Sequence, residues 1–274
     1  MKFEPSHVEK PLKKLRRQLS GFPSNPRPEQ VHSLRTRTRR LEATVAALVM
    51  DQEEPSRLLV KAIKPVRKAA GKVRDMDVLM RNVLTLSNDH GSEALVRLLE
   101  HLAKVRIKSV RKLRAVIRAQ ESDARRLLKK SSRLMRKKLK KESTSMDGVA
   151  APQILITELS HWPELNAENL HLFRIRIKEL RYMLQLNPQP DEKLVEALGE
   201  VKDSVGEWHD WVQLVKIAQK VLDPRSDRTI LKHIENTGNQ KFESALATAM
   251  RVRARYFTGG EHHKLNGAVL QMAS

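Results

Sequence analysis

Hydrophobic positions recur every three, four or seven residues along most of this chain. Leu34, Leu41, Val45 and Leu48 form one such series, and this spacing is typical of a helix with one buried face. No segment sustains an alternation of apolar and polar residues with turn residues at hairpin spacing. The pattern therefore predicts an all-α protein.

Proline, glycine and asparagine suggest where the helices begin and end. Pro28 is typical of a first helical turn, and Asn187-Pro188 of a helix end. The prediction is four helices in each half, forming two bundles, and a short additional helix at the N-terminus. The predicted helices are roughly Val8–Leu19, Pro28–Asp51, Pro55–Ala70, Arg74–Asn88, Ser92–Lys141, Glu168–Asn187, Glu192–Val205, Glu207–Leu222 and Arg225–Phe257.

Two polar stretches mark predicted boundaries. The stretch Glu142–Pro152, which includes Ser143-Thr144-Ser145 and Asp147-Gly148, interrupts two strongly periodic regions and is typical of a linker. It divides residues 1–257 into halves at about 28–141 and 153–257. Residues 258–274 carry little periodicity and are predicted to be a flexible tail, whose His262-His263 pair we interpret as incidental and not as a metal site.

A basic helical motif is written twice. The first row is His32, Arg35 and Arg39, and the second row, at the same spacing, is His171, Arg174 and Lys178. Positions i, i+3 and i+7 lie along one face of a helix, so each row aligns one histidine and two cations. Downstream of the rows, residues 71–76 (GKVRDM) reappear with changes as residues 206–211 (GEWHDW). Two motifs in the same order, about half a chain apart, indicate an internal duplication.

Composition points to an anionic partner. The 274 residues include 53 Lys+Arg and 32 Asp+Glu, a formal charge of +21, and such an excess opposes compaction unless a polyanion or counterions offset it. Zero cysteines exclude disulfides, thiolate metal sites and cysteine nucleophiles, and fit a reducing compartment. We see neither a signal peptide nor an apolar stretch of the ~18–20 residues that a spanning helix needs. A soluble, cytoplasmic protein is predicted.

Much of this charge lies between Lys104 and Lys141, where 17 Lys or Arg accompany only Glu121 and Asp123. A solvated helix face normally mixes charges of both signs. Long basic side chains that cover apolar neighbours account for part of the excess, but not for the missing acids. Because apolar residues remain periodic here, we interpret the segment as a structural helix with a polyanion-binding outer face.

The two rows and the two glycine motifs resemble the CHAD family, the conserved histidine α-helical domains, and the likeness covers most of the chain. The resemblance implies two four-helix units, related by a pseudo-twofold, around a basic central groove or pore that binds inorganic polyphosphate. It also implies an association with polyphosphate granules and their proteins. The implied phosphate contacts are His32, Arg35, Arg39, Arg74, His171, Arg174, Lys178, Arg181 and His209.

Two positions depart from strict symmetry between the rows. Glu42 stands where the second copy has Arg181, and Glu179 stands where the first copy has Arg40. Because of these two acids, the sequence argues against a strictly symmetric anion-binding surface. We interpret Asp75 and Asp210 as anchors for neighbouring cations, although they could simply form ion pairs that orient the bundle, and Trp208 and Trp211 as core residues.

The spacing of the rows suits a phosphate chain. Cations at i, i+3 and i+7 are about 4.5 and 6 Å apart along the helix axis, close enough for successive or alternate phosphates. Arginine can form bidentate bonds to phosphate, lysine acts as a mobile charge, and a neutral histidine still donates through one ring nitrogen. Such binding should weaken steeply with salt.

Two other function classes fit the sequence less well. Nonspecific nucleic-acid binding fits the charge, but only 4% of residues are aromatic and no recognition-helix or RNP motif is present. An enzyme acting on phosphates would need a nucleotide loop or clustered carboxylates, and neither Gly-x-x-x-x-Gly-Lys-[Ser/Thr] nor His-Glu-x-x-His occurs. The sequence thus predicts a non-enzymatic polyphosphate-binding protein without a metal or cofactor.

Overall fold

The hydrophobic periodicity produces long helices in the computed structural model, which describes residues 5–47, 50, 53–87, 93–141, 150–185 and 190–258. Within these ranges the chain forms eight α-helices and a closing π-helical turn, and no strand. The prediction of an all-α protein is confirmed. The helices are α1 (Pro5–Ser20), α2 (Pro28–Ala47), α3 (Glu54–Ser87), α4 (Glu93–Lys141), α5 (Ala150–Ser160), α6 (Leu170–Leu184), α7 (Glu192–Val221) and α8 (Arg228–Arg253), and the π-helical turn is Ala254–Thr258.

Two predicted helix breaks are wrong. α3 and α7 each run unbroken through the glycine motif that was predicted to divide them, so Gly71 and Gly206 lie inside helices. An interior glycine costs about 1 kcal/mol relative to alanine. Both glycines, however, lie against an arginine of the preceding helix, so they are packed positions inside continuous helices.

α5 is a helix that the sequence interpretation missed. It begins at Ala150, inside the predicted linker, and buries Leu155, Ile156 and Leu159. The helix is short and largely apolar, so periodicity gave little signal. With α5 included, each half holds four helices, although not the four that were predicted: α1–α4 in the first half and α5–α8 in the second.

Three clusters of buried apolar side chains hold the helices together. The first joins α1–α4, and the second joins α5–α8 and the π-helical turn. The third is shared between the halves and combines the end of α3 and start of α4 with the end of α7 and start of α8, including buried Trp211. Beside it, Arg97 Nη2 donates to both carboxylate oxygens of Asp227, at 2.7 and 2.8 Å. The two units therefore share one continuous core region.

Neighbouring helices contact each other in a similar order in the two halves. α2 contacts α1 and α3, as α6 contacts α5 and α7, and the most extensive helix pairings are α3 with α4 and α7 with α8. Across the halves, α2 contacts α6 and α3 contacts α7. This arrangement is compatible with an internal duplication, which stays a prediction, as does the division into halves at about 28–141 and 153–257.

Some sequence predictions fall outside the described residues. These are most of the linker (residues 142–149), the Asn187-Pro188 helix end, and the tail from Gly259 onward, with its paired histidines. Among the described helices, none is both long enough and apolar enough to cross a lipid bilayer. The described residues also include no group of three or more His, Cys, Asp or Glu arranged to hold a metal ion.

Candidate functional site

Cations of the two rows lie together where α2 meets α6. Lys178 on α6 is influenced electrostatically by Arg35 and Arg39 of α2, by Arg174 of α6 and by Lys202 of α7. We call these five residues the cationic cluster. Its members come from both halves of the chain, so the structure brings the cations of the first and second rows into one site.

Lys178 is the most buried member of the cluster. Its side chain is only 7% exposed, and no carboxylate of the described residues lies within ion-pairing distance of it. Burial, and then the surrounding Arg39, Arg174, Arg35 and Lys202, lower the pKa of Lys178 from 10.5 to about 6. A buried ammonium group normally has an acidic partner, and this one has cations around it instead.

Two further polar atoms at the site lack hydrogen-bond partners among the described residues. They are Nε of Arg39 and Nδ1 of His171, both buried. Burial, followed by Arg35 and Arg67, lowers the pKa of Arg39 to about 10, against smaller opposing effects of Tyr182 and Glu42. Buried polar groups are nearly always hydrogen-bonded, so these two atoms mark positions where a bound anion could accept.

The histidines of the second half form a stacked pair. The rings of His171 and His209 lie 4.5 Å apart and 30° from parallel. Burial, then His209 and nearby cations, lower the pKa of His171 to about 4. His171 is therefore neutral at pH 7, while His209 has Asp210 beside it, with Nδ1 3.8 Å from Oδ1.

The corresponding positions of the first half, His32 and Arg74, also reach the site. His32 is largely exposed, and partial burial followed by Arg74, Arg35 and Lys202 lowers its pKa. Burial and Arg81 lower the pKa of Arg74, whereas Asp77 and Asp210 raise it. Both residues thus interact with the cationic cluster or with its neighbours.

Glycines on α3 and α7 make room for arginines of the preceding helix. Arg174 Nε donates to the Lys202 backbone carbonyl at 2.9 Å, and its guanidinium group lies so close to Gly206 that a Cβ there would be 2.5 Å from Nη2. The Gly71–Arg35 contact is looser, with 3.6 Å between a Cβ at Gly71 and Nε of Arg35.

We therefore expect Gly206→Ala to displace the Arg174 guanidinium group and to weaken polyanion binding by about tenfold, the size of one charge-assisted hydrogen bond. Gly71→Ala is the matched control. It meets only ordinary van der Waals contact and should stabilise α3 by roughly 0.5–1 kcal/mol without affecting binding. Titration of polyphosphate and chemical denaturation of both variants measure the two effects. Equal binding by Gly206→Ala and the parent would show that the position of Arg174 is unimportant.

Arg181, also proposed from the resemblance, lies further along α6. Its Nε donates to the Val195 carbonyl at 3.1 Å, and its guanidinium group packs against Gly199. These contacts anchor it to the backbone of α7, two helical turns from the contact between Arg174 and Gly206. Its contacts among the described residues are with α7 and not with the cationic cluster.

The two acids that break the symmetry each have a basic partner. Glu42 Oε1 accepts from Arg67 Nε at 2.8 Å, and Glu179 Oε2 accepts from Arg176 Nη1 at 3.0 Å. Glu179, which occupies the place of Arg40 in the second copy, thus pairs on its own helix. Because each charge has a partner, neither acid leaves an unmatched negative charge beside the cluster.

Sequence interpretation missed Arg67 and Lys202. Each lies four residues before a motif glycine, Gly71 or Gly206, and so occupies the matching place on α3 or α7. Arg67 acts on Arg39, and Lys202 acts on Lys178 and His32. The repeat itself could have revealed them, because the matching positions begin one turn before the motif.

The acids proposed as anchors, Asp75 and Asp210, lie among these cations. Asp210 raises the pKa of Arg74 in one half and of Arg174 in the other. The pKa of Asp75 is raised by partial burial and by Asp210, against the opposing effects of Arg35, His209 and Arg74. Asp210 therefore interacts with cations of both halves, as an anchor would.

Comparisons with known proteins agree with this architecture. The family model of the CHAD domain matches residues 6–219. A solved structure described as the crystal structure of the CHAD domain from the plant Ricinus communis is similar, with a TM-score of 0.63 and 20% sequence identity, covering 91% of this chain and 89% of that one. Among curated proteins, none matches the sequence. Since the family model spans most of the chain, this protein belongs to the CHAD domain family.

Proposed function

We propose that this protein binds inorganic polyphosphate at the cationic cluster, without catalysing a reaction on it. The CHAD family is associated with polyphosphate binding in general. The observation that carries the proposal for this chain is the setting of Lys178, which is buried among four cations from three helices. Nothing in an ordinary hydrophobic core favours that arrangement, whereas a bound polyanion compensates the charge.

The chemistry of polyphosphate suits these groups. Each internal phosphate carries one negative charge and presents oxygens that only accept hydrogen bonds. Arginines donate in pairs, Lys178 supplies a charge, and neutral His171 donates through one ring nitrogen. The proposed phosphate contacts are the nine residues of the resemblance together with two more from the structure: His32, Arg35, Arg39, Arg67, Arg74, His171, Arg174, Lys178, Arg181, Lys202 and His209.

The same arrangement supports phosphoryl-transfer catalysis and nucleic-acid binding less well than it supports polyphosphate binding. The acids at the site, Asp75 and Asp210, interact with arginines and histidines, which leaves them poorly suited to hold the paired metal ions of phosphoryl transfer. The cationic cluster consists of arginines and lysines. The described aromatic groups beside it, Tyr182 and the stacked His171–His209 pair, do not form a row of rings on which successive bases could stack. We therefore place nonspecific nucleic-acid binding second. A cytoplasmic, granule-associated role and granule proteins as partners belong to the same proposal.

Competition at near-physiological salt tests the proposal directly. Labelled long-chain polyphosphate is bound to the protein and challenged with single- and double-stranded DNA at matched phosphate concentration. We expect polyphosphate to be retained, because the cluster recognises phosphate spacing in a confined site. Displacement by equal amounts of DNA would instead identify a general cationic surface and favour the nucleic-acid alternative.

A further inference from the structure

A second basic surface lies on the other side of α2. Arg35 and Arg39 of α2 belong to the cationic cluster, whereas Arg37 reaches α1, where it donates to Gln18 Oε1 at 2.8 Å. On α1, every exposed side chain described between Leu12 and Leu19 is Lys or Arg, and the same is true of α4 between Ala124 and Lys137. We call these residues the outer basic surface: Lys13, Lys14, Arg16, Arg17, Arg125, Arg126, Lys129, Lys130, Arg133, Arg136 and Lys137.

The helices hold these cations in a fixed arrangement. At about 100° per residue, the basic residues of α4 occupy an arc of roughly 140°, opposite the buried Leu127, Leu128 and Met135. These apolar residues belong to the same core cluster as Leu12 and Leu15 of α1. The basic faces of α1 and α4 are thus anchored through their buried sides.

Six of these basic residues have no acidic partner among the described residues. Arg125 and Arg126 pair with Glu121 and Asp123 at the start of the basic stretch of α4. Beyond them, no described carboxylate lies within 4 Å of a basic group on the members that follow: Lys129, Lys130 and Arg133 on α4, and Lys14, Arg16 and Arg17 on α1. The sequence itself has no acid from Ala124 to Lys141 or from Lys10 to Ser20. Such a surface repels itself unless an anion lies on it.

We propose that the outer basic surface binds the part of a long polyphosphate chain that extends beyond the cationic cluster, so that affinity rises with chain length. This inference rests on the proposed function. Only α2, a rod of about 10 Å diameter, separates the cluster from α1. A flexible chain of phosphates can bend around a helix, whereas duplex DNA is stiff over about 150 base pairs. The exposed residues of the surface offer charge and no aromatic ring for stacking on bases.

Paired measurements with two ligands test this inference. The ligands are tripolyphosphate, which is too short to leave the cluster, and long-chain polyphosphate. The test variant carries Lys129, Lys130 and Arg133→Gln, and the matched control carries Arg225, Arg228 and Lys232→Gln, which removes the same charge from exposed positions of the other half. A second test variant carries Lys14, Arg16 and Arg17→Gln on α1.

Each test variant should bind long-chain polyphosphate about tenfold more weakly. The slope of log affinity against log salt concentration should become shallower by about two, since each lost phosphate contact removes about 0.7 from this slope for single strands. Tripolyphosphate binding should stay unchanged, and the control should bind both ligands like the parent. Equal losses in test and control variants, losses that extend to tripolyphosphate, or unchanged binding of long-chain polyphosphate by both test variants would each overturn the inference. Failure of the parent protein to bind either phosphate ligand would instead refute the proposed function.

Discussion

Replacing Arg35, Arg39, Arg174 and Lys178 with alanine should weaken long-chain polyphosphate binding by at least about a hundredfold. Hydrogen bonds to charged groups are worth about 1.5–3 kcal/mol each, and these four side chains are the centre of the cationic cluster. Isothermal titration at near-physiological salt measures the loss. Far-UV circular dichroism should show unchanged helicity, because the three hydrophobic cores remain intact.

The matched control for this variant removes four charges from the outer basic surface, by alanine at Lys129, Lys130, Arg133 and Lys137. It should bind long-chain polyphosphate only about tenfold more weakly, because exposed cations contribute through counterion release and not through a confined site. Similar losses in the two variants would mean that binding follows total charge, and that the cluster is not a dedicated site.

The second large effect concerns pH. Polyphosphate affinity should increase by up to tenfold per unit as pH falls from 9 to 6, which corresponds to the uptake of one proton. In the free protein the pKa of Lys178 is about 6, below its ordinary 10.5, and a bound anion raises it again. The cations that act on Lys178 are Arg35 and Arg39 from α2, Arg174 from α6 itself and Lys202 from α7.

Stability should change in the opposite sense when no polyphosphate is added. Between pH 10.5 and about 6, an unfolded chain holds the Lys178 proton more tightly than the folded protein does. The free energy of unfolding therefore falls as pH falls through this window. Below pH 6, His171 extends the same trend toward its pKa of about 4.

Lys178→Met separates these effects, because methionine fills similar space without a charge. The variant should lose most of the pH dependence of binding and melt at a higher temperature at pH 7 than the parent. Lys129→Met, at an exposed position of α4, is the control and should keep both properties of the parent. Titration in buffers of different ionisation enthalpy counts the protons taken up. An unchanged proton count in Lys178→Met would exclude Lys178 as the linked group.

Hydrophobic periodicity and the repeated motifs predicted much of the fold and of the candidate site. The rows were visible because a helix places i, i+3 and i+7 on one face, and tertiary packing of α2 on α6 then brought the rows together. The interior glycines were misinterpreted because local propensity favours a break, whereas Arg35 and Arg174 pack against Gly71 and Gly206. Whether a helix continues through a glycine depends on contacts with other helices, and a short stretch of sequence contains no information on those contacts.

Charge alone could not separate cations that differ in environment. Arg37 and Arg39 are two residues apart on α2, yet Arg37 bonds to Gln18 of α1 and Arg39 lies beside Arg35 and Arg67. Likewise, Lys202 is one of 53 basic residues, and it is distinguished by its place in the repeat and by its position beside Lys178, not by its charge. Burial determines which cations of a very basic chain have a lowered pKa, and burial depends on the whole fold.

The core cluster shared by α3, α4, α7 and α8 has a mechanical consequence. Because packed apolar side chains and the Arg97–Asp227 pair join the halves, the distance between the rows is set by the protein before any ligand arrives. Little strain can then be relieved by widening the gap between α2 and α6. If polyphosphate binds there as proposed, the polymer would have to adjust by rotation about its own phosphoanhydride bonds, and this rotation, not hinge motion of the helices, would account for most of the entropy lost on binding.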